Sequence, residues 1–319
     1  MKPDLTAEPP QDTPLPRPKT STLKRLMRHQ ALYVLLIPGL LYFVVFRYWP
    51  LWNAQIAFKD FNPTLGVEGS PWAGFKYFIQ FFESFYFSQL MTNTLIISVA
   101  KLVLGIPPAI ILAIAIHEAR LKWLARGAQT VSYLPHFLSW VIVFGVLLAL
   151  LSPSEGLVNQ AIGALGGDTI PFLTSPEFFR SVIVLSDIWK ETGWGAILYL
   201  AALLSINPTL YEAAEVDGAT RWQRIWHISI PGMLDVIILV TLLRLGHILD
   251  AGFGQIFVLY SLPVYSVADV IDTWVYRQGI QNFQFSLATA VGLFKGLIGL
   301  ALILTANRMA QRFSGRGLY

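Results

Sequence analysis

Ionisable residues lie within otherwise apolar runs, among them Lys101; Asp187, Lys190 and Glu191; Arg244, His247 and Asp250; and Lys295. An ionised group in hydrocarbon is expensive, so such residues face protein or a water-filled path and mark a substrate or ion route by default. Lys190 follows Asp187 by three residues and Glu191 follows it by four, a spacing that allows local ion pairing on one helical side. That trio reads either as a satisfied structural cluster or as part of a pathway. Arg244, His247 and Asp250 recur at three-residue steps and would wind around one side of a helix, lining a cavity. A guanidinium there could hold a carboxylate through two parallel hydrogen bonds. Trp189 and Trp194 supply rings that could stack on a substrate or anchor at the membrane interface. Lys101 and Lys295 have no evident partner in the sequence.

Other chemistry is absent from the pattern. The five histidines (His29, His117, His136, His227, His247) show no metal-ligand spacing, and there is no cysteine. No Gly-x4-Gly-Lys-Ser/Thr phosphate loop occurs, so any ATP-driven step needs a separate subunit. No nucleophile constellation is present either. Neither catalysis nor a metal is expected of this chain.

These residues must be positioned by helices in lipid. The chain is 55% hydrophobic and 13% charged, with a mean hydropathy of +0.56. Soluble domains carry about 25% charged residues. Apolar runs at 31–48, 90–116, 128–151, 182–206, 234–260 and 287–306 each approach the roughly 20 residues that cross a bilayer. The expected fold is therefore an all-α integral membrane protein, a six-helix transmembrane bundle. The segments 1–30, 117–127, 207–233 and 307–319 hold fourteen lysines and arginines, and the opposite segments hold four (Lys59, Lys76, Arg180, Arg277). The excess of positive residues places both termini in the cytoplasm. The net charge of +4 is thus a membrane-topology signal, and no nucleic-acid partner is expected. Residues 1–30, with six prolines before residue 20, read as a disordered cytoplasmic tail, and 307–319 as a cytoplasmic C-terminal tail. The first run lacks a small-x-small cleavage site and should be a retained anchor. The aromatic stretch Trp72–Phe87 suits a helix lying among headgroups, whereas Ser152–Phe179 reads as a docking or capping surface.

The loop 207–233 has its own local grammar. Asn207 is a good N-cap and Pro208 suits the first helical position. A short helix follows, and Gly218 supplies the left-handed residue that ends it. Thr220 and Gln223 form a capping box for a second helix, after which Pro231 should reset the direction for the fifth span. The small surface at Ala213–Ala214 beside Glu212 would admit another protein's backbone.

Glu212-Ala213-Ala214, Gly218 after three more residues, and Ile228-x-Ile230-Pro231 after nine more resemble the EAA loop of ABC importer permeases, with isoleucine for leucine at 230. Phe46–Pro50, Ala57–Asp60, Asn93-Thr94, Ser186–Trp194, Tyr199–Ala202 and Asn307-Arg308 are most similar to the carbohydrate-uptake branch. Within it they resemble permeases for oligosaccharides of the pectin and alginate types. The resemblance implies a cytoplasmic coupling helix whose Glu212, Ala213, Ala214, Asp217 and Gly218 meet an ATPase. It also implies a second homologous permease, two ATP-binding subunits, an extracytoplasmic sugar-binding protein and a bacterial inner-membrane location. ATP and Mg would be bound by the partner ATPase, with no cofactor in this chain. A proton-coupled secondary transporter using Arg244, His247 and Asp250 as a relay is the rival reading. A membrane enzyme acting on lipid-linked sugar would need paired carboxylates or a metal motif at one interface, and the sequence has neither.

Overall fold

A computed structural model describes residues 30–314 of the chain. The reading of residues 1–29 as a disordered tail, and that of 315–319, lie outside the described residues. The chain divides into two units, 1–53 and 54–319. In the first, helix α1 (Gln30–Phe43) carries Pro38 and continues as a π turn over Val44–Tyr48 and a 3-10 stretch over Trp49–Phe58. It is apolar on all sides, the composition of a helix whose solvent is lipid.

The second unit is helical, and α-helices satisfy their backbone groups internally, as hydrocarbon requires. In chain order it runs α2 (Lys76–Phe82), α3 (Phe87–His117), α4 (Lys122–Tyr133), α5 (Trp140–Leu151), α6 (Leu157–Ala164) and α7 (Pro176–Ser205). There follow α8 (Pro208–Val216), α9 (Arg221–Arg224), α10 (Ile230–Gly246), α11 (Phe253–Leu259), α12 (Ile271–Tyr276) and α13 (Phe285–Ser314). The most extensive packing joins α3 to α7. Ala109, Ala113, Ala196 and Ala202 are all buried between these helices, with Tyr199 and Met233, and small residues let helices approach closely in lipid.

Four corrections to the sequence reading follow. The run 128–151 is not one straight span: α4 and α5 meet at 107°. Pro135 cannot donate to the helical ladder, and a 3-10 turn over Leu134–Phe137 replaces it. Leu138 and Ser139 are then extended, and the Ser139 hydroxyl caps the new helix by accepting from the Ile142 amide at 3.3 Å. The run 234–260 is also broken. Helix α10 stops at Gly246, a 3-10 turn covers Ile248–Asp250, and Ala251 (φ 42°) and Gly252 (φ 88°) reverse the backbone before α11. Pro231 does not reset the chain. A π turn over Ile225–Ser229 absorbs the proline, and Arg221–Gly246 forms one continuous helix. Finally, α13 extends through Ser314, beyond the span end expected at 306.

The two loops are also more structured than their composition suggests. Phe81 of the aromatic stretch is fully buried with Leu90, Ile271, Trp274, Leu287 and Val291, while Trp72, Phe75 and Phe85 are exposed. Nearby, Asp60 accepts from Lys76 at 2.7 Å and from the Tyr77 hydroxyl at 2.6 Å, and these two bonds hold its carboxyl below the usual aspartate range. In the second loop, Asn159 is buried. It donates to the Ser152 and Ile170 carbonyls at 3.0 Å each and accepts from the Ile170 amide at 2.9 Å.

Two glycines test this packing. Gly193 of α7 lies against the α4 backbone so closely that an added Cβ would fall 1.9 Å from the Ser132 carbonyl oxygen, whereas one at Gly292 would meet nothing within 4 Å. Gly193→Ala should destabilise the chain by about 2–3 kcal/mol through overpacking, and Gly292→Ala should be close to neutral. Thermal unfolding in detergent checks the pair, with a lowered Tm expected for the first variant alone.

Candidate functional site

Two sites emerge, one at a loop and one between helices. The loop site is α8 with its flanks. Asn207 accepts from the Thr209 amide at 3.1 Å, and Pro208 opens the helix. At the far end Gly218 takes φ 76°, its amide reaches the Glu215 carbonyl at 3.1 Å, and the Ala219 amide reaches the Ala214 carbonyl at 2.8 Å. These two bonds make a Schellman cap. The Thr220 amide donates to Gln223 Oε1 at 2.7 Å and completes the capping box. Three side-chain contacts then bind α8 to its surroundings. Arg224 pairs with Glu215 at 3.2 Å, Tyr211 meets the Ser229 hydroxyl at 3.0 Å, and the Tyr211 ring lies 6.0 Å from the His117 ring at the end of α3, while Arg221 of α9 donates to Glu118 just beyond α3. Glu212, Ala213, Asp217 and Gly218 remain exposed, with Ala214 half-buried. Two apolar side chains that the sequence reading did not single out, Leu210 and Val216, are exposed on the same short helix.

The second site is a cavity of about 610 Å³ between α3, α7 and the end of α10. Trp194, Arg244, His247 and Asp250 all line it, and so do Ser98, Lys101 and Asp187. Arg244, His247 and Asp250 do not share a continuous helix as the sequence reading expected. Arg244 lies in the last turn of α10, His247 ends that helix, and Asp250 belongs to the 3-10 turn. The break brings the three to one cavity by folding the chain rather than by helical periodicity. No bond joins them: His247 Nδ1 contacts the Leu243 carbonyl of its own helix at 3.2 Å, and Asp250 pairs with Lys295 at 2.5 Å. That arrangement offers no proton relay among the three.

The break itself is finished by two lysines from distant helices. Lys101 Nζ donates to the Ala251 carbonyl at 3.0 Å and to Gln255 Oε1 at 2.5 Å, and it pairs with Asp187 at 3.1 Å. Lys295 Nζ is shared between Asp250 and Asp272, at 2.5 and 2.6 Å. Asp187 is therefore engaged across helices rather than with Lys190. Arg244 differs from both lysines: among the described residues its guanidinium has no hydrogen bond and no ion pair. It lies over Gly105 and Gly195, where added Cβ atoms would come within 3.4 and 3.5 Å of its nitrogens. The Ser98 hydroxyl in the cavity wall is likewise buried with no hydrogen-bond partner among the described residues.

The remaining candidates do not line this cavity. Lys190 is buried and donates to the His136 carbonyl, and Glu191 meets His136 Nδ1 at 2.8 Å. Trp189 borders a separate recess beside α4 with Val131 and Pro135. Asn93 and Thr94 hold the segment after α11. The Asn93 amide donates to the Asp269 carbonyl at 2.9 Å, and Thr94 accepts from the Ile271 amide at 3.1 Å. Among the described residues no group of three or more His, Asp or Glu side chains is placed to hold a metal.

A multi-pass helical bundle with a rigidly capped surface helix and a charged cavity between its helices is a transport permease in architecture. The chain belongs to the family of binding-protein-dependent transport system inner membrane components, which it matches over residues 105–316. It is 41% identical over 297 residues to the polygalacturonan/rhamnogalacturonan transport system permease protein YteP of Bacillus subtilis, covering 93% of this chain and 92% of that one. Protein LplB of the same organism is 44% identical over 299 residues, with 94% of each chain covered. Its fold matches a chain of the bacterial ABC transporter involved in import of the acidic polysaccharide alginate. The TM-score is 0.84 at 43% identity, covering 92% of this chain and 99% of that one.

The paired lysine gives a direct test of the site's construction. Lys101→Met should cost about 3 kcal/mol, because it strands Asp187 and the Ala251 carbonyl in a poorly solvated site. Adding Asp187→Leu should recover part of that loss. Denaturation of the purified chain, comparing single and double variants, measures both effects.

Proposed function

We propose that this chain forms half of the membrane path of an ATP-driven importer and passes an acidic oligosaccharide, delivered by an extracytoplasmic binding protein, through the cavity around Arg244. The observation that carries this reading is the guanidinium itself. Of the lysine and the arginine lining the cavity, Lys101 pairs with Asp187, while Arg244 has no hydrogen bond or ion pair among the described residues. A guanidinium matches a sugar carboxylate through two parallel charge-assisted bonds. Trp194 in the same wall offers an apolar ring face suited to the C–H face of a pyranose. The relatives named for polygalacturonan and for alginate, both acidic polysaccharides, support the same substrate class.

The proposed assembly adds a second homologous permease, two ATP-binding subunits that carry ATP and Mg, and the binding protein, in a bacterial inner membrane with both termini cytoplasmic. Helix α8 is the coupling element, with Glu212, Ala213, Ala214, Asp217 and Gly218 meeting the ATPase. Its caps, its bond to Ser229 and the contact of Tyr211 with His117 suit it to transmit displacement. Closure of the ATPase dimer would move α8, and through Arg221–Gly246 and the end of α3 it would tilt two walls of the cavity. Asp217 caps the C-terminal end of α8, where a negative charge is unfavourable to the helix dipole, so a partner is the reason for an acid there.

Two measurements test the two halves of this reading. In proteoliposomes holding the full complex, Arg244→Gln should lower uptake of trigalacturonate about tenfold or more, the worth of a charge-assisted bond, and affect maltotriose little. Equal uptake of trigalacturonate by both proteins would remove the acidic assignment. Separately, Asp217→Ala should reduce ATP hydrolysis stimulated by the loaded binding protein by about tenfold while the complex still assembles. An unchanged rate would remove Asp217 from the coupling surface.

A further inference from the structure

The bend between α4 and α5 is fastened to α7 largely through His136. Its carbonyl accepts from Lys190, and its Nδ1 lies 2.8 Å from Glu191 Oε2. Because a carboxylate only accepts, Nδ1 carries the hydrogen. The imidazole also lies flat on the indole of Trp194, with ring centroids 4.5 Å apart and planes 2° from parallel. Phe137 meets the same indole edge-on at 5.9 Å. One face of Trp194 is thus covered by an oriented ring, and the indole, about half exposed, borders the cavity that contains Arg244.

We propose that His136, oriented by Glu191, is a positioning residue that sets the plane of Trp194 and so shapes the surface on which the sugar slides. This rests on the reading of the cavity as the sugar path. The bend is already fastened by the bond from Lys190 to the His136 carbonyl and by the close approach of Gly193 to Ser132, and Lys190 also lies over the Trp140 ring of α5 at 5.6 Å. The bond from the imidazole to Glu191 satisfies no backbone group. Its consequence is to fix the rotation of the ring that stacks on Trp194. Left without its stack, the indole would turn among rotamers, and a sugar would have to select one of them at an entropic cost. The Trp194–His136 stack also joins the broken third span to the wall of the cavity, so a movement of α4 against α7 would reorient the indole.

The test uses the complete importer in proteoliposomes with its binding protein, and whichever of trigalacturonate and maltotriose the unaltered complex carries faster. The readout is sugar carried per ATP hydrolysed. His136→Ala should lower it up to about tenfold, the range covered by one aromatic stacking contact. His136→Phe keeps a ring over the indole and should retain most of the activity. Glu191→Leu leaves the backbone bond from Lys190 available and should lower the ratio in the same direction as His136→Ala, so it stands in if that variant fails to assemble. In a Trp194→Ala background neither change should add anything, because partners acting through one group are non-additive. Equal losses in both backgrounds, or a phenylalanine variant as poor as the alanine one, would overturn the role of His136 while leaving the Arg244 reading intact. An unaffected Trp194→Ala variant beside an impaired Arg244→Gln variant would overturn this inference alone. Loss of any difference at Arg244 would instead count against the path.

Discussion

The cavity exists because a helix stops inside the bundle, and a stopped helix must find partners for its last carbonyls. In water they would be solvated. In a span they are not, and each orphaned group costs several kcal/mol. Here His247 closes the end of α10 itself, its amide reaching the Arg244 carbonyl and its Nδ1 the Leu243 carbonyl, while in the turn beyond the Lys101 ammonium takes the Ala251 carbonyl and is balanced by Asp187, and Lys295 takes up Asp250. Two lysines and three carboxylates, Asp272 included, therefore make an interruption at 247–252 tolerable. That interruption turns Arg244, His247 and Asp250 toward one space and frees α11 to fold back against the core, where Ile256 and Leu259 are buried.

The same economy of local closure governs the surface helix. Helix α8 has nine residues, too few to persist on intrinsic propensity alone. It is held by a cap at each end and by side chains reaching to α9, to the π turn and to His117 of α3. Because the π turn keeps Arg221–Gly246 continuous, the helix that begins beside α8 ends at the cavity. A rigid connection of 26 residues spans about 39 Å at 1.5 Å per residue, so the loop and the cavity lie at opposite ends of one lever.

What the sequence disclosed and what it hid divide along the same line. Asn207, Pro208, Gly218, Thr220 and Gln223 were legible because a cap is decided by neighbours within a few residues. The fractures at 134–139 and 247–252 were not, because hydropathy averages over a window and both runs are apolar on average. Local signals were present in Pro135 followed by Ser139 and in Ala251-Gly252-Phe253-Gly254, and three charges three residues apart at the end of a span were a further one. The lysine partners were beyond reach in principle: Ala251 is 150 residues from Lys101, and Asp272 is 23 from Lys295. Leu210 and Val216 passed unnoticed because an exposed apolar side chain cannot be told from a buried one until the helix is placed.

The distribution of charge bears on how such a path can work. A route must hold its cargo firmly enough to admit it and weakly enough to release it. A cavity with two unpaired cations would hold a polyanionic oligosaccharide more firmly. Pairing Lys101 with Asp187 leaves a single guanidinium to attract a carboxylate. The buried Ser98 hydroxyl and the indole of Trp194 lie nearby to supply weaker, uncharged contacts. A chain of uronic residues could then exchange one carboxylate for the next at the same arginine, each step trading like for like. On the proposed reading, the Lys101–Asp187 pair that helps complete the broken helix would also keep the cavity's affinity low enough for passage, so one pairing would serve both structure and transport.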